Sequence, residues 1–208
     1  MIRILVVLIA SFAAASCAAV RTNLAVSHTL PAADSAKTVA IMPYDQTLAA
    51  APEFVSYAAK LAAHLEARGY DVVEPSGGGA PDYVVFFMYR IDGGTLVTRF
   101  VSRPDPLTGS IISYGLRSTL RQATDRVYRR SVTVDILDRA RFQPNVPASF
   151  TASRVYGGAA TSEGSCSTMA EVIDPMLTAL FEDFPGESGR VRTIDVRAPT
   201  ACGLDRFG

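Results

Sequence analysis

The chain has 208 residues, a formal net charge of zero, 19% charged residues and 49% hydrophobic residues. That length suits one domain plus a targeting segment, and the charge balance excludes both a globally basic nucleic-acid binder and an acidic disordered chain. With no tryptophan and only two histidines, His28 and His64, metal and acid–base chemistry has few residues to draw on.

The N-terminus, "MIRILVVLIASFAAASC", sets one positive charge (Arg3) before an apolar run from Ile4 to Ala15 and a group of small residues. This is the order of a secretory signal. The run is about 12 residues, against roughly 20 for a spanning helix. A buried N-terminal helix is the alternative. Ala13-Ala14-Ala15 would suit ordinary signal peptidase. "AASC" also resembles a bacterial lipobox, in which cleavage leaves Cys17 first and acylated, palmitate being one such chain. Ala14 stands where that motif usually has leucine, while Ala15 and Ser16 fit. Acylation of Cys17 would leave Cys166 and Cys202 as an even pair in an oxidising compartment. More than one acyl chain makes an anchor stable. Ala18 is not the aspartate that retains such proteins in an inner membrane. The expected address is therefore the outer membrane, periplasmic face, with a soluble periplasmic protein as the alternative.

Residues 1–16 thus read as signal peptide, 17–37 as lipidated N-terminus and flexible tether, and 38–208 as one domain. The tether is small and polar, with an end-to-end reach of roughly 25 Å, and His28 lies in it. "TVAIMPYD" (38–45) predicts a strand. Phe54, Ala58, Leu61 and Leu65 recur at helical spacing. Pro52 before them and Gly69 after them suit a helix start and stop. His64 falls off that stripe and reads as a surface residue. "YDVVE" (70–74) predicts a second strand, giving a β-α-β start. "SGGGAPD" (76–82) lacks the lysine and following helix of a phosphate loop, so it reads as a plain loop. "YVVFFMYRI" is apolar on both faces and predicts a central strand. Gly93-Gly94 then predicts a hairpin into "TLVTRFV".

After a proline-rich loop, strands are expected around 111–122 and 126–138, paired with each other, and a further strand at 148–157. "GGAATSEGSC" reads as a flexible loop. Met169, Val172, Ile173, Met176, Leu177, Leu180, Phe181 and Phe184 keep one apolar helical face. Thr168 and Glu171 have capping-box spacing, and Pro175 should kink or split the helix. "RVRTIDVRA" (190–198) predicts an edge strand.

"RVYRRSVTVDILD", the helix ending "LFEDFPGESG", and the earlier "AHLEARGYDVV…PDYVVFFMY" together resemble a family of uncharacterised bacterial periplasmic or outer-membrane lipoproteins with an α+β domain of unknown function. The resemblance spans roughly residues 38–198. It implies a mostly antiparallel, or mixed, sheet with two main helices packed on one face. It brings no active site with it.

Bridging Cys166 and Cys202 would close a loop of about 37 residues, worth roughly 3.8 kcal/mol by the chain-entropy model. The alternative makes Cys166 a nucleophile, with His64 the one histidine of the expected domain. No zinc spacing, nucleotide fingerprint or nucleophile elbow appears, so neither cofactor nor metal is expected. Asp82, Asp135 and Asp138 are carboxylates without a demanding spacing. Arginines crowd residues 90–130. Arg99, Arg117, Arg121 and Arg129 are candidate contacts for lipid phosphate or another anionic surface; a solvated face paired with the protein's own acids is the alternative. The sequence points to a membrane-anchored, non-enzymatic binding or scaffolding module of the cell envelope, with the membrane and an envelope protein as partners. An accessory subunit of an envelope transport or assembly complex, or a hydrolase using Cys166, are the alternatives.

Overall fold

The computed structural model describes residues 19–30, 37–75, 80–104 and 118–198. The signal segment, Cys17, Arg117 and Cys202 lie outside them. The described elements are β1 (Ala19–His28), β2 (Thr38–Pro43), α1 (Pro52–Glu66), β3 (Asp71–Val72), β4 (Tyr83–Ile91), β5 (Thr95–Pro104), β6 (Ser118–Asp138), α2 (Pro147–Ser153), β7 (Arg154–Gly164), α3 (Ile173–Phe181) and β8 (Val191–Arg197). The strands run in the order β3-β2-β4-β6-β7-β1-β8, with β5 paired to β6. β2 is parallel to β3 and β4, and the other pairings are antiparallel. The fold is α+β with a mixed sheet.

β4 shows why the sheet has cores on both faces. Side chains alternate along a strand, so Val85 and Phe87 enter the main core while Val84 and Phe86 enter a second cluster behind it. The main core joins Leu61 and Leu65 of α1, Val132, Val134 and Ile136 of β6, and Met176, Leu177 and Phe181 of α3. Each such side chain, fully buried, contributes about 1.5–3 kcal/mol. α1 and α3 share this front face and are tied by Lys60 and Asp174, 2.5 Å apart. α2 lies behind the sheet, where Phe150 packs with Val84, Phe86 and Leu137. The two longer helices, α1 and α3, therefore pack on one face, and the short α2 adds a third helix on the other.

The structure corrects several sequence expectations. The tether over 17–37 is interrupted by β1, which sits between β7 and β8. Val20, Thr22 and Leu24 are buried while Arg21, Asn23 and Ala25 are exposed. Ala19–His28 thus belong to the sheet. Gly93-Gly94 does not turn a hairpin. β4 and β5 both run antiparallel to the long β6, β4 along residues 130–138 and β5 along 118–127. They are one strand path with a kink between them. Asp92 makes that kink: its Oδ1 accepts from Gly94 N (3.0 Å) and Arg129 N (2.9 Å). Gly94 has φ +73°, and a Cβ there would lie 2.8 Å from Arg126 and Tyr128 side-chain atoms. The two strands expected at 111–122 and 126–138 do not pair with each other either. The chain from 118 to 138 is the single strand β6.

Residues 147–153 are helix, and the supposed flexible loop after Tyr156 is the middle of β7. Its small residues answer to crowding. A Cβ at Gly157 would lie 2.8 Å from Asp135 Oδ1, and one at Gly158 would meet the Tyr156 ring. The C-terminal helix is split, as Pro175 suggested. A short 3₁₀ turn at Met169–Glu171 precedes α3, and Pro175 falls in the first turn of α3, where its missing N–H costs least. The capping box does not form as expected: Thr168 Oγ1 donates to Glu171 Oε2 (2.8 Å) and no side chain caps the turn.

Candidate functional site

The back face of the sheet carries a cleft of about 660 Å³. Four elements build it. β2 supplies Ala40 and Met42 and leads into Tyr44. β4 supplies Val84 and Phe86, the loop after β6 supplies Arg139 and Phe142, and α2 supplies Phe150. The rings form one cluster. Phe86 lies 5.5 Å, centroid to centroid, from each of Tyr44, Phe142 and Phe150, and Tyr44 lies 5.8 Å from Phe150. Tilted and edge-on pairs at such distances add to plain burial. The loop is fastened at both ends. Phe142 N donates to Asp138 O (3.0 Å), and the Ser149 hydroxyl donates to Gln143 O (2.7 Å) while accepting from Gln143 N (3.0 Å).

Against this apolar floor sits one polar group of consequence. Asp135 is 4% exposed. The Tyr44 hydroxyl donates to its Oδ2, and Arg154 Nη1 lies 3.4 Å from Oδ1. Burial, reinforced by the Asp135 carboxylate, pushes the Tyr44 hydroxyl well above the usual tyrosine range, so it stays protonated and keeps donating. Gly157 leaves the room that the Asp135–Arg154 pair occupies. Arg139 stands at the rim, where Nη1 donates to Phe142 O (3.4 Å). An apolar cleft of this volume with a few fixed polar groups has the make-up of a small-ligand pocket.

The sequence-derived candidates are dispersed. Asp82 and Asp138 line a second cleft with Lys37 and Arg139, apart from Asp135. Asp82 is held below the usual carboxylate range by the Thr38 N–H and hydroxyl. Register places Arg99, Arg121 and Arg129 on one face of the sheet. Two of them are paired at home, Arg99 with Asp125 (3.1 Å) and Arg129 with Glu163 (2.7 Å). Arg121 is exposed. Cys166 packs half-buried against the core and is disulfide-bonded, so it is no candidate nucleophile. Its partner lies outside the described residues. His28 is not a linker side chain: it ends β1, and its Nε2 lies 3.0 Å from Gly186 O. Among the described residues, no group of His, Cys, Asp and Glu is placed to hold a metal, and no helix is long and apolar enough to cross a membrane.

His64, expected at the surface, is stacked on Phe181 at 5.2 Å. Partial burial, together with the nearby Arg68 charge, pulls its pKa below the ordinary 6.5, and Asp174 opposes this only in part. Below about pH 6.5 the unfolded chain then binds a proton that the folded chain resists. Stability from this residue is full above that pH and is lost as pH falls toward the folded pKa. Urea midpoints measured from pH 7.5 to 5 should fall, and His64→Phe should flatten that slope. An unchanged slope would contradict the assignment.

The cleft was not anticipated from sequence. Asp135 is among the sequence's candidate carboxylates, but Tyr44, Phe142, Phe150 and Arg154 carry no local motif, since each comes from a different segment. No family model and no curated protein matches the chain. Among solved structures, it is similar to a PDZ domain protein from Parabacteroides distasonis, at 12% identity over 86% of this chain and 40% of that one, with a TM-score of 0.43. It is also similar to PelC dodecamers from Paraburkholderia phytofirmans. In one, the likeness is 13% identity over 81% of this chain and 99% of that one, with a TM-score of 0.40. In another it is 11% over 80% and 99%, with a TM-score of 0.41. The chain spans about 40% of the length of the PDZ domain protein. At such identity and score, these likenesses establish neither family nor activity.

Proposed function

We propose that this chain is a lipid-anchored envelope lipoprotein, acylated at Cys17 on the periplasmic face of the outer membrane, that acts as a non-enzymatic binding module. The aromatic cleft is the observation that carries the binding reading. Its floor is apolar, its loop is fastened, and its single buried carboxylate is held by Tyr44 and Arg154 rather than left to react. Such a site recognises an apolar ligand and orients it at a polar rim. The signal-like N-terminus followed by "AASC" supports the anchor. We further propose Cys202 as the partner of Cys166. β7 runs out just before Cys166, and the Arg197 end of β8 lies beside Ala19 at that same end of the sheet.

The test is titration of the domain with the apolar fluorophore N-phenyl-1-naphthylamine. Saturable enhancement is expected, weakened by Phe150→Ala and by Val146→Arg. Val146 lies exposed at the rim, so its variant should bind less without loss of stability. Saturable binding that neither substitution alters would overturn the cleft as the site.

A further inference from the structure

We infer that the β5–β6 ribbon is a membrane-contact element that lies along an anionic bilayer surface beside the lipid anchor. The inference rests on the proposed acylation of Cys17. The register carries it. Thr22 of β1 faces Ser162 of β7, and Gly164 of β7 faces Tyr128 of β6. Ala19 therefore lies at the end of the sheet where β6 leaves β7 and continues, as residues 118–127, paired only with β5 among the described strands. The start of β1 and the ribbon root share one end. Only β7 separates β1 from β6 in neighbour order, so they lie two strand spacings apart, a lateral distance of roughly 10 Å.

The lengths then limit the geometry. Cys17 precedes β1 by two residues, a reach of about 7 Å. The ten residues of β5 extend about 34 Å past the root. A domain held that close to the bilayer cannot point such a ribbon straight at it. The ribbon must lie along the surface.

Its composition fits that position. A two-stranded ribbon is marginal in water by itself, yet this one exposes Phe100 (73%) and Leu96 (62%) on one face. Arg126 is directly opposite Leu96 on that same face. Arg121, Arg99 and Asp125 lie on the ribbon's other face, where Asp125 is neutralised by Arg99. Exposed apolar side chains beside a cation suit the boundary between acyl chains and anionic headgroups. The cleft meanwhile lies toward the other end of β4 and β6, at Val84 and Leu137, away from the bilayer.

The chain has no tryptophan, so Phe100→Trp installs a unique reporter. Val191→Trp serves as control, because Val191 is exposed at the opposite end of β8. Both variants, as full mature lipoprotein, are reconstituted into vesicles of phosphatidylethanolamine and phosphatidylglycerol containing doxyl-labelled lipid, and are first checked by flotation. The expected result is a blue shift and loss of most emission for Phe100→Trp, with Val191→Trp unchanged. Floated protein with Phe100→Trp unquenched would overturn the ribbon assignment while leaving the anchor intact. A blue shift that needs no lipid and grows with protein concentration would make a second copy the occupant and also overturn it. Protein that fails to float would overturn the anchor, and the ribbon assignment with it.

Discussion

Phe181→Ala is expected to lower the unfolding free energy by about 3–5 kcal/mol, the usual cost of emptying a buried aromatic site. Phe181 closes α3 against α1. Its ring stacks on His64 of α1 on one side and on Phe184 on the other, 5.1 Å away. Its carbonyl accepts from Arg68, just beyond the end of α1. Removing the ring leaves a void between α1, which lies over β2 and β3, and α3, which lies over β7 and β1, and a rigid sheet cannot collapse into it. Urea unfolding should show a lower midpoint with a similar slope. A loss below about 1 kcal/mol would mean that the α1–α3 interface is held elsewhere.

Arg130→Met is expected to do the opposite and raise stability. Arg130 is 0% exposed, in the row that joins Ile91, Ser162 and Thr22. Its Nη2 donates to Ser162 Oγ (3.2 Å), while Nε and Nη1 have no hydrogen-bond partner. Burial pushes its pKa down; the charges of Glu163, Glu171 and Asp92 resist that without touching the guanidinium. A buried charge so incompletely paired is costly, and apolar replacement of buried charged groups gains about 1–4 kcal/mol in favourable cases. Methionine is flexible enough to fill the channel. A fall in the thermal midpoint of Arg130→Met would show instead that the three acids need the charge among them.

Both residues show what the sequence could reveal. Helical spacing exposed the α1 and α3 stripes because Leu61, Leu65, Met176, Leu177 and Phe181 are large and regularly placed. β4 was legible because both its faces are apolar, and only a central strand needs that. β1 was hidden, since its buried face includes Thr22 and its exposed face includes Ala25, which blurs the alternation. β7 was hidden because Gly157 and Gly158, which mark loops elsewhere, are small here to admit the Asp135 carboxylate and the Tyr156 ring. The kink at Gly94 mimicked a turn because the cue that separates them is the Asp92 carboxylate bonding across to Arg129, a contact between distant residues. The cleft was invisible for the same reason. Its rings come from positions 44, 86, 142 and 150, and only folding gathers them.

The claim on which the rest depends is that the domain is held at the membrane through Cys17, with Ala19 already in the sheet. Intact-mass spectrometry of the mature protein, extracted from the envelope without reduction, measures this directly. The account predicts a chain that begins at Cys17 and carries diacylglyceryl and acyl mass. A mature chain beginning at Ser16 with no added lipid mass would contradict it.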